Sequence, residues 1–276
     1  MRLAVHYNTS YRYSETARRV IQLLRVTPLT FDGQIVHDWR IDVDVDARLR
    51  EGRDGFGNVT HMLYVDQPTR GLKVSVNGRV TTENRSGLVA GHPHELPPLV
   101  FMRSTPLTEA DDALREFAAG IGGSDPLERL HNLNAAIFER LGFDTDTTEP
   151  DTSAAHAFQV GHGVCQDFAH IFIAAARAIG LPARYVSGHL FRRDGEHLQE
   201  AAHAWVEGYA EDLGWVAFDP THGICTDDAY IRVACGLDYR DAAPFAGARA
   251  GGGEEALDVD VTVRLARAQA QPQSQS

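Results

Sequence analysis

The run Gly161-His162-Gly163-Val164-Cys165-Gln166-Asp167-Phe168 leads a loop into a helix. Its two glycines permit a sharp entry. Phe168, Phe172, Ala175 and Ile179 then recur at helical spacing, until Gly180 and Pro182 stop the pattern. The spacing predicts a helix over about 165–179 with Cys165 in its first turn. A thiol placed there feels unpaired backbone N–H groups and the positive end of the helix dipole, and both favour the reactive thiolate. The Cys165 N–H is also available to an oxyanion formed when its own sulfur attacks a carbonyl. Most cysteines are small buried hydrophobes, and Cys165 does fall on the apolar stripe. The glycine-rich entry and the helix-start position favour a nucleophile instead.

A thiol nucleophile needs a base, and the base needs a group to orient it. With 13 histidines in the chain, coincidence is easy and strand geometry has to choose. AAHAWVEGY (201–209) and WVAFD (215–219) read as strands joined by a short turn. If that turn centres on Glu211, His203 faces Asp219, Trp205 faces Ala217 and Glu207 faces Trp215. Directly opposed residues hold their Cβ atoms about 4.5–5.5 Å apart on one face. Asp219 would then fix the tautomer of His203 and leave its other ring nitrogen for the thiol. A slip of one residue would put the two groups on opposite faces. Trp205 shares the His203 face and is a candidate substrate-binding wall of the site.

Other residues carry weaker signals. Asp167 suits a helix-capping role. His170 lies about 140° round the helix from Cys165 and is a poor direct partner. Cys225 and Cys235 read as free buried thiols, and His92 and His94 as residues of a proline-rich loop. The chain has no G-x-S-x-G, Walker loop, G-x-G-x-x-G, H-E-x-x-H or paired C-x-x-C zinc spacing.

Outward from this core, residues 1–85 read as a β domain. Ile41, Val43 and Val45 alternate with aspartates, Asp54-Gly55 and Gly57-Asn58 mark a turn, and Asn77-Gly78 predicts a hairpin. Glu15–Leu24 is the one stretch there with helical character. Residues 86–107 contain Pro93, Pro97, Pro98 and Pro106 and are read as a linker. The catalytic unit is assigned to 108–268. Its first helix is capped by Thr108 with Asp111, and its second by Ser124 or Asp125 ahead of Pro126. Strands follow at 183–189, 202–209, 215–219 and 257–265. Helices first and strands afterwards is the α+β order. The polar end, 269–276, is expected to be a disordered tail.

Composition limits the function classes. Against 38 Asp+Glu there are 26 Lys+Arg, a net charge of −12, which argues against nucleic acid as a partner. Lys73 is the sole lysine, so Schiff-base chemistry has one candidate, in a strand-like stretch. Three cysteines are too few for a disulfide scaffold. No apolar run is long enough for a signal peptide or a membrane span, and a cytoplasmic location is expected.

The blocks GHGVCQDFAHIFIAAARAIGLPARYVSGHL (161–190), HAWVEGY (203–209) and GWVAFDPTHG (214–223) together resemble the bacterial transglutaminase-like superfamily, which shares its catalytic architecture with papain-like cysteine proteases. Residues 238–263 are similar to the end of that domain. Tyr11-Arg12-Tyr13, Gln34 and Asp54-Gly55-Phe56-Gly57-Asn58 resemble the β region that often precedes it. The resemblance implies a papain/transglutaminase-like core of helices packed on an antiparallel sheet, behind a β-sandwich-like N-terminal domain. It implies Cys165 as nucleophile, His203 as base and Asp219 as orienting acid, working by a thioester on peptide or protein substrates with no cofactor and no metal. Gln159, six residues before the cysteine, stands at the spacing of the papain-type oxyanion glutamine. The alternatives are a non-catalytic peptide-binding module on the same fold and a metal site built from Cys165, His203 and Asp219. Hydrolase or transferase, substrate identity and oligomeric state are left open by the sequence.

Overall fold

The computed structural model describes residues 1–199 and 201–266. The expected tail, 269–276, lies outside them, as do the last two residues assigned to the catalytic unit.

The chain is α+β, with two large antiparallel sheets and a group of helices packed on the second of them. The N-terminal sheet is built on one strand, Arg2–Thr27. Its first part pairs with Thr69–Thr82 and with Glu255–Leu265, and its second part with Val59–Val65 and Phe245–Gly251. Register shifts between Arg12 and Arg19 let the strand bend, so its two parts carry the two halves of one curled eight-stranded sheet. The helical character of 15–24 is overruled because Val20, Leu24 and Val26 are buried at strand period, while Ile21 and Leu23 sit on the more open face. Asn77-Gly78 makes no hairpin either, and Thr69–Thr82 runs straight through it. Gly78 is small for a packing reason: a Cβ there would stand 2.0 Å from the Trp39 ring. The turn at 54–58 does form, with Asp54 Oδ1 accepting from the N–H groups of Phe56 and Asn58 at 3.0 and 3.1 Å.

The second sheet runs in the order Ile224–Cys225, Gly214–Asp219, His203–Ala210, Ala183–Leu190, Tyr230–Gly236. Four helices pack around its face: α1 (Asp112–Ala119), α2 (Pro126–Arg140), α3 (Ala154–Val160) and the central α4 (Cys165–Ala178). Helix α2 starts as expected, with Asp125 accepting from Glu128 N–H and Pro126 in its first turn. Helix α1 starts later than expected because Asp111, not Thr108, is its cap. The Thr108 hydroxyl instead accepts from Arg177 of α4 at 2.8 Å. Arg177 is buried and also donates to the carbonyls of Phe101, Ala183 and Leu237, so α4 is tied to the linker stretch and to the adjoining ends of two neighbouring strands of the sheet.

Two features cross the sequence division at 86–107. Strands Phe245–Gly251 and Glu255–Leu265 return to the N-terminal sheet and do not join the catalytic one. Two side-chain amides then fasten the halves through strand Tyr230–Gly236. Asn58 exchanges hydrogen bonds with the backbone of Cys235 at 2.7 and 2.8 Å. Gln34 does the same with Arg232 at 2.9 and 2.8 Å. A side-chain amide with one donor and one acceptor facing a backbone edge satisfies both groups at once. This explains physically why Gln34 and the 54–58 turn belong to the resemblance.

Candidate active site

Helix α3 ends at Gly161, whose φ of +79° is the left-handed conformation that glycine adopts without cost. Two residues on, Gly163 makes room for the next helix: a Cβ there would stand 2.5 Å from Asp167 Oδ2. That oxygen accepts from Val164 N–H at 2.9 Å and from the Thr148 hydroxyl at 2.6 Å. Asp167 therefore caps α4, and burial pushes its carboxyl above the usual range. Cys165 is the first residue of α4 and is partly exposed, unlike the buried run Asp167–Arg177 behind it. His170 faces away, accepting from Tyr239 N–H at 3.1 Å. Its burial depresses it to about 4, so it is a neutral structural group.

His203 opens its strand and carries the central hydrogen bond, Nε2 to Asp219 Oδ2 at 2.7 Å. The pairing beneath differs from expectation. Glu207 lies opposite Ala217 and Tyr209 opposite Trp215, so the turn centres on Asp212 and every pair is shifted by two. An even shift preserves the face, and the two side chains meet as diagonal neighbours instead of opposed ones. Burial alone would make the His203 ring easier to deprotonate. The Asp219 carboxylate and the Cys165 thiol outweigh it, and the ring is pushed up to about 10. With Nε2 taken by Asp219, Nδ1 is the nitrogen left to the thiol.

Asp219 is fully buried. Burial opposes its charge, but His203 and His222 beside it hold the carboxyl far below the usual range. Its Oδ2 accepts from three donors: His203 Nε2 and His222 Nδ1, each at 2.7 Å, and the Tyr230 hydroxyl at 2.8 Å. Oδ1 takes the Thr221 N–H at 2.9 Å. His222 and Tyr230 had no assigned role in the sequence reading. His222 lies inside the quoted block 214–223, and Tyr230 on a strand that reading missed.

The two weaker candidates sit differently. Trp205 is only 2% exposed and lies behind His203, with ring centroids 6.2 Å apart, and Tyr230 packs against both rings. Trp205 walls the imidazole from the rear. Gln159 is exposed on α3, and its amide donates to Asp111 Oδ2 at 2.7 Å. The same Asp111 caps α1 through Oδ1, so Gln159 ties two helices together.

A fold with a thiol at a helix start beside a histidine–aspartate pair on an antiparallel sheet is that of the transglutaminase-like proteins, and this chain belongs to that superfamily. Residues 115–220 match the transglutaminase-like superfamily core, and residues 3–81 match the bacterial transglutaminase-like N-terminal region. Among its relatives is an uncharacterized protein of Mycobacterium leprae, 28% identical over 281 residues, 95% of this chain and 98% of that one. A protein-glutamine gamma-glutamyltransferase of Pseudomonas aeruginosa is 30% identical over 132 residues, which is 42% of this chain and 19% of that protein. In fold the chain is similar to a proposed cysteine protease from Cytophaga hutchinsonii, known from its crystal structure. The TM-score is 0.78 at 21% identity, over 99% of this chain and 93% of that one.

Proposed function

We propose that the chain is a thiol-dependent amidase or acyltransferase that acts on peptide or protein substrates through a thioester on Cys165. The observation that carries this reading is the His203 imidazole, held between the Asp219 carboxylate at 2.7 Å and the Cys165 thiol at the start of α4. The Cys165 thiolate attacks an amide carbonyl, and the oxyanion is met by the Cys165 N–H. His203 donates its proton to the nitrogen as the C–N bond breaks, and the amine leaves. Water or a primary amine then attacks the thioester, His203 takes a proton from it, and the thiolate is released. Water gives hydrolysis and an amine gives transamidation. The three cysteines are free, which suits the reducing, cytoplasmic setting we propose for it.

The test is incubation with a glutamine-containing peptide library, with and without a primary amine, read for ammonia release, peptide cleavage and amine incorporation. Acylated Cys165 is expected in the mass spectrum of the quenched enzyme. Absence of all three products and of the adduct rules the reading out. Because His203 must carry a proton to expel the amine, kcat is expected to fall as pH rises through about 10. A rate that keeps climbing above that pH would remove His203 as the acid. Gln159 is engaged with Asp111, so Gln159→Ala is expected to change kcat by less than about twofold, against roughly 10²–10³-fold for a true oxyanion donor.

A further inference from the structure

Asp219 Oδ2 is the meeting point of two imidazole nitrogens, and one of the rings is not needed for the triad. One ligating atom from each of His203, Asp219 and His222 lies within 4.8 Å of the other two. We infer that these three side chains form a site for a zinc-class divalent cation, whose binding takes His203 out of the thiol chemistry.

The donor set fits that class of ion. Two imidazoles, which are borderline ligands, together with one carboxylate suit zinc better than calcium or magnesium, which take mostly oxygen. Zinc bonds of about 2.0–2.2 Å bring tetrahedral ligands to roughly 3.3 Å from one another. Both nitrogens already stand 2.7 Å from the carboxylate oxygen, so the adjustment is chiefly a separation of the two rings from it. His222 lies on the turn after Asp219 with its side chain 47% exposed, which supplies both the freedom to move and a path for the ion. The outer groups are in place as well. Tyr230 and the Thr221 N–H hold the carboxylate, and the second nitrogen of His203 faces the thiol. Three protein ligands leave a fourth position for water. On binding, the ion replaces the Nε2 proton of His203, which is released while Nδ1 keeps its own, and the proton on Nδ1 of a neutral His222 moves to its Nε2. Affinity is therefore coupled to proton release. With Nε2 on the metal, His203 loses its bond to Asp219, and the dyad that drives the thiol is broken.

The site needs no turnover to be detected, although its inhibitory effect rests on the function proposed above. The test is zinc titration of the full chain against a chromophoric chelator, in a phosphine reductant that leaves zinc free. Wild-type protein and Cys165→Ser are each expected to take up one equivalent, because the sulfur is not a ligand. His222→Ala, a change on an exposed turn, is expected to weaken binding about 100-fold or more. Circular dichroism confirms that the variant is folded. Loss of binding in Cys165→Ser, unchanged binding in His222→Ala, or no binding by the wild type would each overturn the site. If the zinc concentration that halves amide turnover, read against each protein's own zinc-free rate, also rises about 100-fold in His222→Ala, the inhibitory role is established. If that concentration is unchanged, the role is overturned.

Discussion

Cys165→Ala is expected to lower amide turnover by roughly 10⁴- to 10⁶-fold while the protein stays folded, because removal of a covalent nucleophile leaves only substrate binding and oxyanion stabilisation. The side chain sits partly exposed at the first position of α4, outside the buried run that begins at Asp167, so an alanine there opens little cavity. The helix start does not depend on the sulfur either, since Asp167 and Thr148 hold it. Loss of activity would therefore report chemistry and not unfolding. Alkylation gives a second reading: iodoacetamide is expected to label Cys165 in the wild type well ahead of Cys235, which is buried, and Cys225, whose thiol burial holds in its protonated form. Peptide mapping of the labelled protein, alongside single-turnover assays of the variant, checks both. Turnover above a tenth of the wild-type rate would eliminate the thioester.

The site was legible because its signals are local or parity-based. Gly161, Gly163 and Cys165 write the helix entry into eight residues, and alternation along 203–209 and 215–219 assigns His203 and Asp219 to one face whichever even register is chosen. The exact pairing was not legible, because the 210–214 connection allows its centre at Glu211 or Asp212 with no difference in apolar pattern. His222 escaped because a turn residue has no periodicity to place it. Non-local packing accounts for the fold differences. Asn77-Gly78 has a hairpin sequence, yet its glycine answers to Trp39 on another strand. Thr108 has the composition of a helix cap, yet its hydroxyl is claimed by Arg177, 69 residues away. The return of 245–265 to the first sheet is a matter of topology, since a strictly alternating strand fits either sheet equally well until its partner is known.

Glu207→Gln is expected to destabilise the fold by about 3–5 kcal/mol, the cost of breaking a buried ion pair from one side. Glu207 has no exposed surface and shares the strand face of His203 and Trp205. Its carboxylate accepts from Arg184 Nε and, at 2.7 Å, from Arg232 Nε. Both guanidiniums are themselves buried: Arg184 lies 4.0 Å from the centroid of the Trp215 ring, and Arg232 reaches His92 at 3.2 Å. Burial disfavours the carboxylate, but the two arginines outweigh it and hold Glu207 down at about 2. A glutamine keeps the shape and leaves two cations around a neutral amide, with at most one oxygen to share. For a chain of this size the loss corresponds to a fall in Tm on the order of 10 °C or more. The pH dependence separates charge from shape. A carboxyl whose folded value is depressed stabilises the fold above its unfolded value and loses that contribution as pH falls toward the folded one. The gap between wild type and variant is therefore expected to be full at neutral pH, to narrow below about 4.5, and to close as pH falls through about 2, below which the wild-type Glu207 is itself neutral. Urea denaturation of both proteins across that range measures it. A gap of the same size at every pH would assign the effect to packing, and a variant within 2 °C of wild type at pH 7 would show that the two arginines do not depend on Glu207.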